Sequence, residues 1–170
     1  MTAVAQPPVT RSRWLLFGAL AITIVVFDQV TKAVVVGSLA VGQRVDVIDG
    51  LVRIVHSRNS GILFGMLPDS APLFAVVSLL VLVLILLYES RAGRSLMTTL
   101  ALGLLLGGAI GNLLDRIRYA SVVDFVDLGV GSLRWYTFNV ADAAISTALV
   151  LLVVQALVPR LGELGNPDGG

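Results

Sequence analysis

The sequence predicts an α-helical membrane protein with four transmembrane helices and a small β-rich extracytoplasmic platform. Three observations carry that reading. Of 170 residues, 56% are hydrophobic and only 14% charged, too apolar for a soluble domain of this size. Four apolar runs, at residues 14–36, 72–88, 97–114 and 139–158, approach or exceed the about 20 residues a helix needs to cross hydrocarbon. The segments between them carry the turn signals and loose alternation of short strands.

The first run follows Arg11 and Arg13 and contains Asp28 and Lys32, four apart with the acid first, a favourable order for an ion pair on a helix. Ser38-Leu39-Ala40 resembles a small-residue cleavage site. The run is nevertheless longer than the roughly 7–15 apolar residues of a cleavable leader, so it is expected to stay in the protein. Residues 45–55 alternate about Asp49-Gly50, a hairpin signal. The second and third runs are short and require little tilt. Along the third, Gly103, Gly107 and Gly111 recur every four residues, a stripe that lets another helix approach closely. Residues 121–128 and 133–138 flank Gly129-Val130-Gly131, a second expected hairpin. Asn139 is suited to cap the fourth helix and Pro159 to stop it. Residues 13–160 are thus expected to form one membrane domain, with disordered ends at 1–12 and 161–170.

An even number of spans places both termini on one side. That side carries Arg11, Arg13, Arg91, Arg94 and Arg160, and the other carries Lys32, Arg44, Arg53, Arg58, Arg116, Arg118 and Arg134. A raw count would invert the protein. The loop holding Arg91 and Arg94 is very short, however, and the first helix with its two preceding arginines usually dominates, so cytoplasmic termini are expected.

Composition also excludes function classes. A net charge of +1 without a Lys/Arg-rich run argues against nucleic acid as a partner. The absence of cysteine removes disulfides, thiolate metal sites and cysteine nucleophiles. A single histidine, His56, argues against a histidine metal site or a Ser/His/Asp triad and reads as an ordinary polar residue.

The polar residues of the apolar runs converge. Asn112, Asp115 and Arg116 share one helix face, Asn139 and Asp142 share another, and Asp28 with Lys32 lies about one turn inside the same membrane surface. Each cluster alone reads as a helix cap or a headgroup contact; together they describe a polar site in a helix bundle. Asp124 and Asp142 are the most informative members. An ionised carboxylate in hydrocarbon costs about 2.5–3.5 kcal/mol on insertion scales and usually marks a function. Two acids brought together by a short connection suggest a shared proton, and hence an aspartyl hydrolase.

Five segments carry a resemblance. Asp28-Gln29-Val30-Thr31-Lys32, Asn59-Ser60-Gly61-Ile62-Leu63-Phe64-Gly65, the run from Gly107 to Arg116, Val122-Val123-Asp124-Phe125 and Phe138-Asn139-Val140-Ala141-Asp142 resemble, in order, the motifs of the lipoprotein signal peptidase (signal peptidase II) family. Ala120 stands where glycine is common and Tyr136 where proline is common. The resemblance implies a four-helix aspartyl endopeptidase of the bacterial cytoplasmic membrane, with its site near the extracytoplasmic face. Such an enzyme removes the signal peptide of prolipoproteins just before a diacylglyceryl-modified cysteine.

By resemblance Asp124 and Asp142 are the catalytic pair. Asn59, Gly61, Asn112, Arg116 and Asn139 surround the pair and position substrate, Asp115 orients Arg116, and Asp28 and Lys32 support activity. The implied partners are the lipidated signal peptide and membrane lipid, the expected state is a monomer, and no metal or organic cofactor is required. Two close carboxylates cannot both ionise cheaply, so one keeps a proton while the other activates water. The base and acid roles belong to the pair. Two other classes compete. A small transporter subunit would set its acids near the midplane on broken helices in repeated halves, and no such repeat exists here. A non-enzymatic membrane assembly factor would use the glycine stripe and the platform and would tolerate loss of both aspartates.

Overall fold

A computed structural model describes residues 11–60, 76, 79–80, 83–87 and 95–158. In chain order the elements are α1 (Arg11–Ser38), β1 (Arg44–Ile48), β2 (Val52–Asn59), α2 (Leu96–Tyr119), β3 (Val122–Val130), β4 (Leu133–Arg134) and α3 (Val140–Leu157). Among the described residues three helices, α1, α2 and α3, are long and apolar enough to cross a membrane. Of the run expected at 72–88, residues 76, 79–80 and 83–87 are helical. There Ile85 is buried in one cluster with Phe17, Ala21, Leu102, Leu106 and Ala109. The remainder of that run, the segment carrying Gly61 and both chain ends lie outside the described residues.

Local chemistry sets the helix limits. Ser95 caps α2 by accepting the Thr98 N–H at 3.3 Å. At the other end Ala120 takes the left-handed conformation, φ 52° and ψ 21°, and its N–H bonds the Arg116 carbonyl. Glycine enters that conformation without steric cost, whereas an L-residue loses about 1–2 kcal/mol. The departure at Ala120 therefore leaves the helix stop in place at a cost in strain. Ala120→Gly is expected to raise stability by about 1 kcal/mol, read as a higher melting temperature in detergent; an unchanged or lower value would refute it.

The helices meet through small residues. A Cβ added at Gly107 would lie 2.8 Å from the Ala21 carbonyl oxygen of α1, and one at Gly108 would lie 2.6 Å from the Ala141 carbonyl oxygen of α3. Backbone approach this close gives van der Waals contact where the hydrophobic effect supplies no drive between helices. Far from the polar site, Thr98 and Gln155 tie α2 to α3 through a side-chain bond of 3.0 Å.

The strands form one antiparallel sheet in the order β1-β2-β3-β4. The first hairpin turns through Gly50 at φ 71°, a conformation that favours glycine. The β2–β3 pairing sets Asn59 opposite Val122 and Ser57 opposite Asp124. The second expected hairpin forms with β3 running on to Val130, and a bridge between Val126 and Phe138 holds the chain against β3 just before α3. Arg134 joins the two hairpins, pairing with Asp127 at 3.0 Å and donating to the Gly50 carbonyl at 3.1 Å. The sheet thereby carries Asn59 and Asp124 to the end of the bundle where α2 stops and α3 starts.

Candidate active site

Five elements contribute to one buried polar centre. From α1 come Asp28, Gln29 and Lys32, from α2 Asn112, Asp115 and Arg116, from β2 and β3 Asn59 and Asp124, and from α3 with its cap Asn139 and Asp142. Asp28 and Asn139 have no exposed surface at all, so every polar atom they carry requires a partner.

Lys32 is the charged hub. Its Nζ lies 2.8 Å from Asp28 Oδ2 and 2.8 Å from Asp115 Oδ2, and donates to Asn112 Oδ1 at 3.1 Å. Asp28 Oδ1 accepts the Ala141 N–H at 2.9 Å, so α1 fixes the first turn of α3. Asp115 accepts the Val123 N–H at 3.0 Å and a Gln29 N–H at 3.0 Å, which fixes β3. Buried ions persist only where the partners are this complete, because the uncompensated charge would cost several kcal/mol. Asp115 meets Lys32, Gln29 and the β3 backbone directly, while Arg116 Nη1 donates to the Asn112 carbonyl at 3.1 Å and the charges of Asp142, Asp124 and Asp115 act on its guanidinium.

Asp124 and Asp142 are linked through asparagines. Asn139 Nδ2 donates to Asp124 Oδ1 at 2.7 Å and Asn59 Nδ2 to Asp124 Oδ2 at 3.1 Å. Asn112 Nδ2 donates to Asp142 Oδ1 at 2.8 Å, and the Asn139 backbone N–H to Asp142 Oδ2 at 3.2 Å. Asn139 Oδ1 in turn accepts the Asp142 N–H at 2.8 Å, closing a reciprocal capping box. One asparagine thus caps α3 and touches both acids. Burial first, and the negative charge of Asp142 second, push the Asp124 carboxyl up to about 6, against the opposing pull of Asn59, Asn139 and Lys32. A carboxyl placed there exchanges a proton near neutral pH, as acid–base chemistry requires.

The sequence-predicted residues Asp28, Lys32, Asn59, Asn112, Asp115, Arg116, Asp124, Asn139 and Asp142 all fall in this centre, and Gly61 lies outside the described residues. Gln29 was missed. Its amide also donates to Asp28 and to the Gly111 carbonyl, each at 3.2 Å, and its place beside Asp28 on a helix entering the site was the signal available. His56 has its Nδ1 2.8 Å from the Leu39 carbonyl oxygen and ties β2 to the end of α1.

The described residues form a bundle of apolar helices with two carboxylates gathered at one end beside a small antiparallel sheet, the build of a membrane protein with a polar site. The family model described as signal peptidase (SPase) II matches residues 20–158, and the chain belongs to that family. It is 37% identical over 148 residues to the lipoprotein signal peptidase of Geobacillus kaustophilus, covering 86% of this chain and 96% of that one. It is 36% identical over 143 residues to that of Syntrophomonas wolfei, covering 84% and 93%. A solved bacterial membrane enzyme superposes with a TM-score of 0.80 at 26% identity, covering 92% of this chain and 94% of the other. A second does so with a TM-score of 0.77 at 28% identity, covering 89% and 96%.

Proposed function

We propose that this chain is an aspartic endopeptidase of the bacterial cytoplasmic membrane that removes the signal peptide of prolipoproteins just before a diacylglyceryl-modified cysteine, with Asp124 and Asp142 as its catalytic pair. Family membership supports the reaction. The observation that carries the mechanism is the asparagine-bridged arrangement of the two acids, in which every carboxylate oxygen receives one N–H donor.

With one proton on the pair, the ionised carboxylate takes a proton from water as the water oxygen attacks the scissile carbonyl carbon. The protonated partner gives its proton to the carbonyl oxygen, leaving a neutral tetrahedral diol. The pair then passes the proton taken from water to the amide nitrogen and takes one from a diol hydroxyl as the C–N bond breaks, so the carboxylic acid and the amine leave and the pair is again singly protonated. Arg116, a planar donor with a permanent charge, is suited to hold substrate carbonyl or ester oxygens, and Asn59 approaches Asp124 from the sheet side.

The wider reading has four spans, the partly described run at 72–88 being the fourth, with both termini cytoplasmic and the site near the extracytoplasmic face. There a signal peptide in the bilayer meets the acids while its lipid tails stay in hydrocarbon. The enzyme acts as a monomer on the lipidated substrate and needs no metal or organic cofactor.

The test is cleavage of a prolipoprotein, with and without its diacylglyceryl group, by purified protein in liposomes. The expected outcome is release of the signal peptide from the lipidated form only, undiminished by chelators. A folded protein that cuts neither form would bring the assembly-factor or transporter reading forward, and chelator-sensitive cleavage would remove the aspartic mechanism.

A further inference from the structure

The Lys32 ammonium meets Asp28, Asp115 and Asn112, and its contact with Asn112 bears on the direction in which that amide faces Asp142. An ammonium only donates. Its three N–H groups have three acceptors, Asp28 Oδ2 and Asp115 Oδ2 at 2.8 Å each and Asn112 Oδ1 at 3.1 Å. With its oxygen turned to Lys32, Asn112 directs its amide nitrogen to Asp142 Oδ1, 2.8 Å away. The reversed amide would set an NH2 group against the ammonium and an oxygen against the carboxylate. Asn139 Nδ2, at 3.2 Å, favours the same orientation of Asn112. Its hold is weaker, because that group also has Asp124 Oδ1 at 2.7 Å and the Val123 carbonyl at 3.3 Å as acceptors.

We propose that Lys32 is a positioning residue that locks the Asn112 amide as a donor to Asp142, and through that amide keeps the pair in its singly protonated, working form. The proposal rests on the reading of Asp124 and Asp142 as the catalytic pair. Asp28 and Asp115 then have a joint task. They hold the ammonium in place and, through the Ala141 and Val123 N–H groups, tie it to the two elements that carry the acids. The charged groups facing the centre are Asp28 and Lys32 from α1, Asp115 and Arg116 from α2, Asp124 from β3 and Asp142 from α3. Turning the Asn112 oxygen towards Asp142 disfavours ionisation of the pair, so the acid limb of the rate profile moves to higher pH.

Removing the lysine alone would strand two buried carboxylates and endanger the fold. The test is therefore Asp28→Asn/Lys32→Met, compared with wild type and with Asp28→Asn as a control. Two aspartates and a lysine become a single aspartate, Asp115, so the net charge of the group is kept. The oxygen of the asparagine at 28 still accepts the Ala141 N–H. Relative to wild type, the double variant is expected to lose roughly 10- to 100-fold in kcat with little change in KM, and its acid limb is expected to rise by about one pH unit, whereas Asp28→Asn alone is expected not to raise it.

A purely structural role would lower the active fraction and the melting temperature without moving the limb, and an unmoved limb overturns the proposal. Asn112→Leu supplies a second reading that leaves the Lys32 ion pairs in place, and it must show the same upward limb. Asp124→Asn and Asp142→Asn run in the same assay separate the two levels. If either still cleaves, the catalytic reading fails; if both are dead while the double variant keeps its kcat and limb, only the role of Lys32 fails.

Discussion

Asp124→Asn and Asp142→Asn are each expected to reduce cleavage of lipidated prolipoprotein by about 10³-fold or more, with helical content and chromatographic behaviour unchanged. On the proposed mechanism the reason lies in a division of labour between the acids. An asparagine neither accepts the proton of the attacking water nor supplies one to the carbonyl oxygen, and either loss stops the cycle. On the proposed mechanism the acids act as a unit, so Asp124→Asn/Asp142→Asn is expected to be no worse than either single variant. Turnover surviving in one variant at a tenth of the wild-type rate would show that its aspartate is not part of the chemistry.

Asp124→Asn also separates chemistry from stability. The Asp124 carboxyl lies at about 6 in the fold against an ordinary value of 3.8. Its ionisation therefore costs about 3 kcal/mol more in the native state than in the unfolded chain. For an acid whose folded value is raised, this cost is absent below about 3.8, grows as pH climbs towards 6, and is constant above that. Asparagine abolishes the pH-dependent part. It also leaves one of the Asn59 and Asn139 donors poorly matched, a penalty of about 1–3 kcal/mol that does not vary with pH. The melting temperature of Asp124→Asn relative to wild type is therefore expected to rise between pH about 4 and about 6.5. A flat or falling difference would mean that Asp124 is already ionised without strain in the fold.

Most of this site was legible in the sequence because burying charge in an apolar helix is costly. Asp28, Lys32, Asn112, Asp115, Asp124, Asn139 and Asp142 stood out against runs of leucine, valine and alanine, and helical spacing placed several of them on common faces. The two hairpins were legible for a different reason. Asp49-Gly50 and Gly129-Val130-Gly131 interrupt loosely alternating segments, and Gly50 and Gly131 do take positive φ, at 71° and 57°. Partner choice was not legible. Spacing along α2 says that Asp115 and Arg116 are near neighbours, but whether Asp115 turns to Arg116 or across to Lys32 depends on how α1 crosses α2, a long-range property. Gln29 escaped for a related reason, since an amide next to a charged residue carries no signal of its own until Gly111 and Asp115 of another helix come within reach of it. The glycine stripe was read as uniform packing, but its members differ. Gly103 and Gly107 meet the backbone and side chains of α1, whereas Gly111 faces the carboxylate of Asp28.

That difference makes Gly111→Ala the sharpest probe of how packing supports the chemistry. A Cβ at position 111 would sit 2.6 Å from Asp28 Oδ2, 3.1 Å from Asp28 Cγ and 3.3 Å from Ala141 Cβ. The first of these is shorter than any ordinary contact, and Asp28 cannot easily yield. Its Oδ2 is held by Lys32 at 2.8 Å, and its Oδ1 holds the Ala141 N–H at 2.9 Å. To admit one methyl group, α1 or the start of α3 must move away from α2, and Asn139 and Asp142 lie within two residues of Ala141. Overpacking of this kind costs about 1–3 kcal/mol, and a shift of about 1 Å at a reacting group reduces rate by roughly 100-fold. Gly111→Ala is accordingly expected to lower the melting temperature by several degrees and cleavage by about two orders of magnitude. Gly18→Ala, on the same bundle but with nothing within 4 Å of its added Cβ, is expected to leave both unchanged. Equal behaviour of the two variants would mean that the carboxylate of Asp28 yields freely, and that the start of α3 is not positioned from α1.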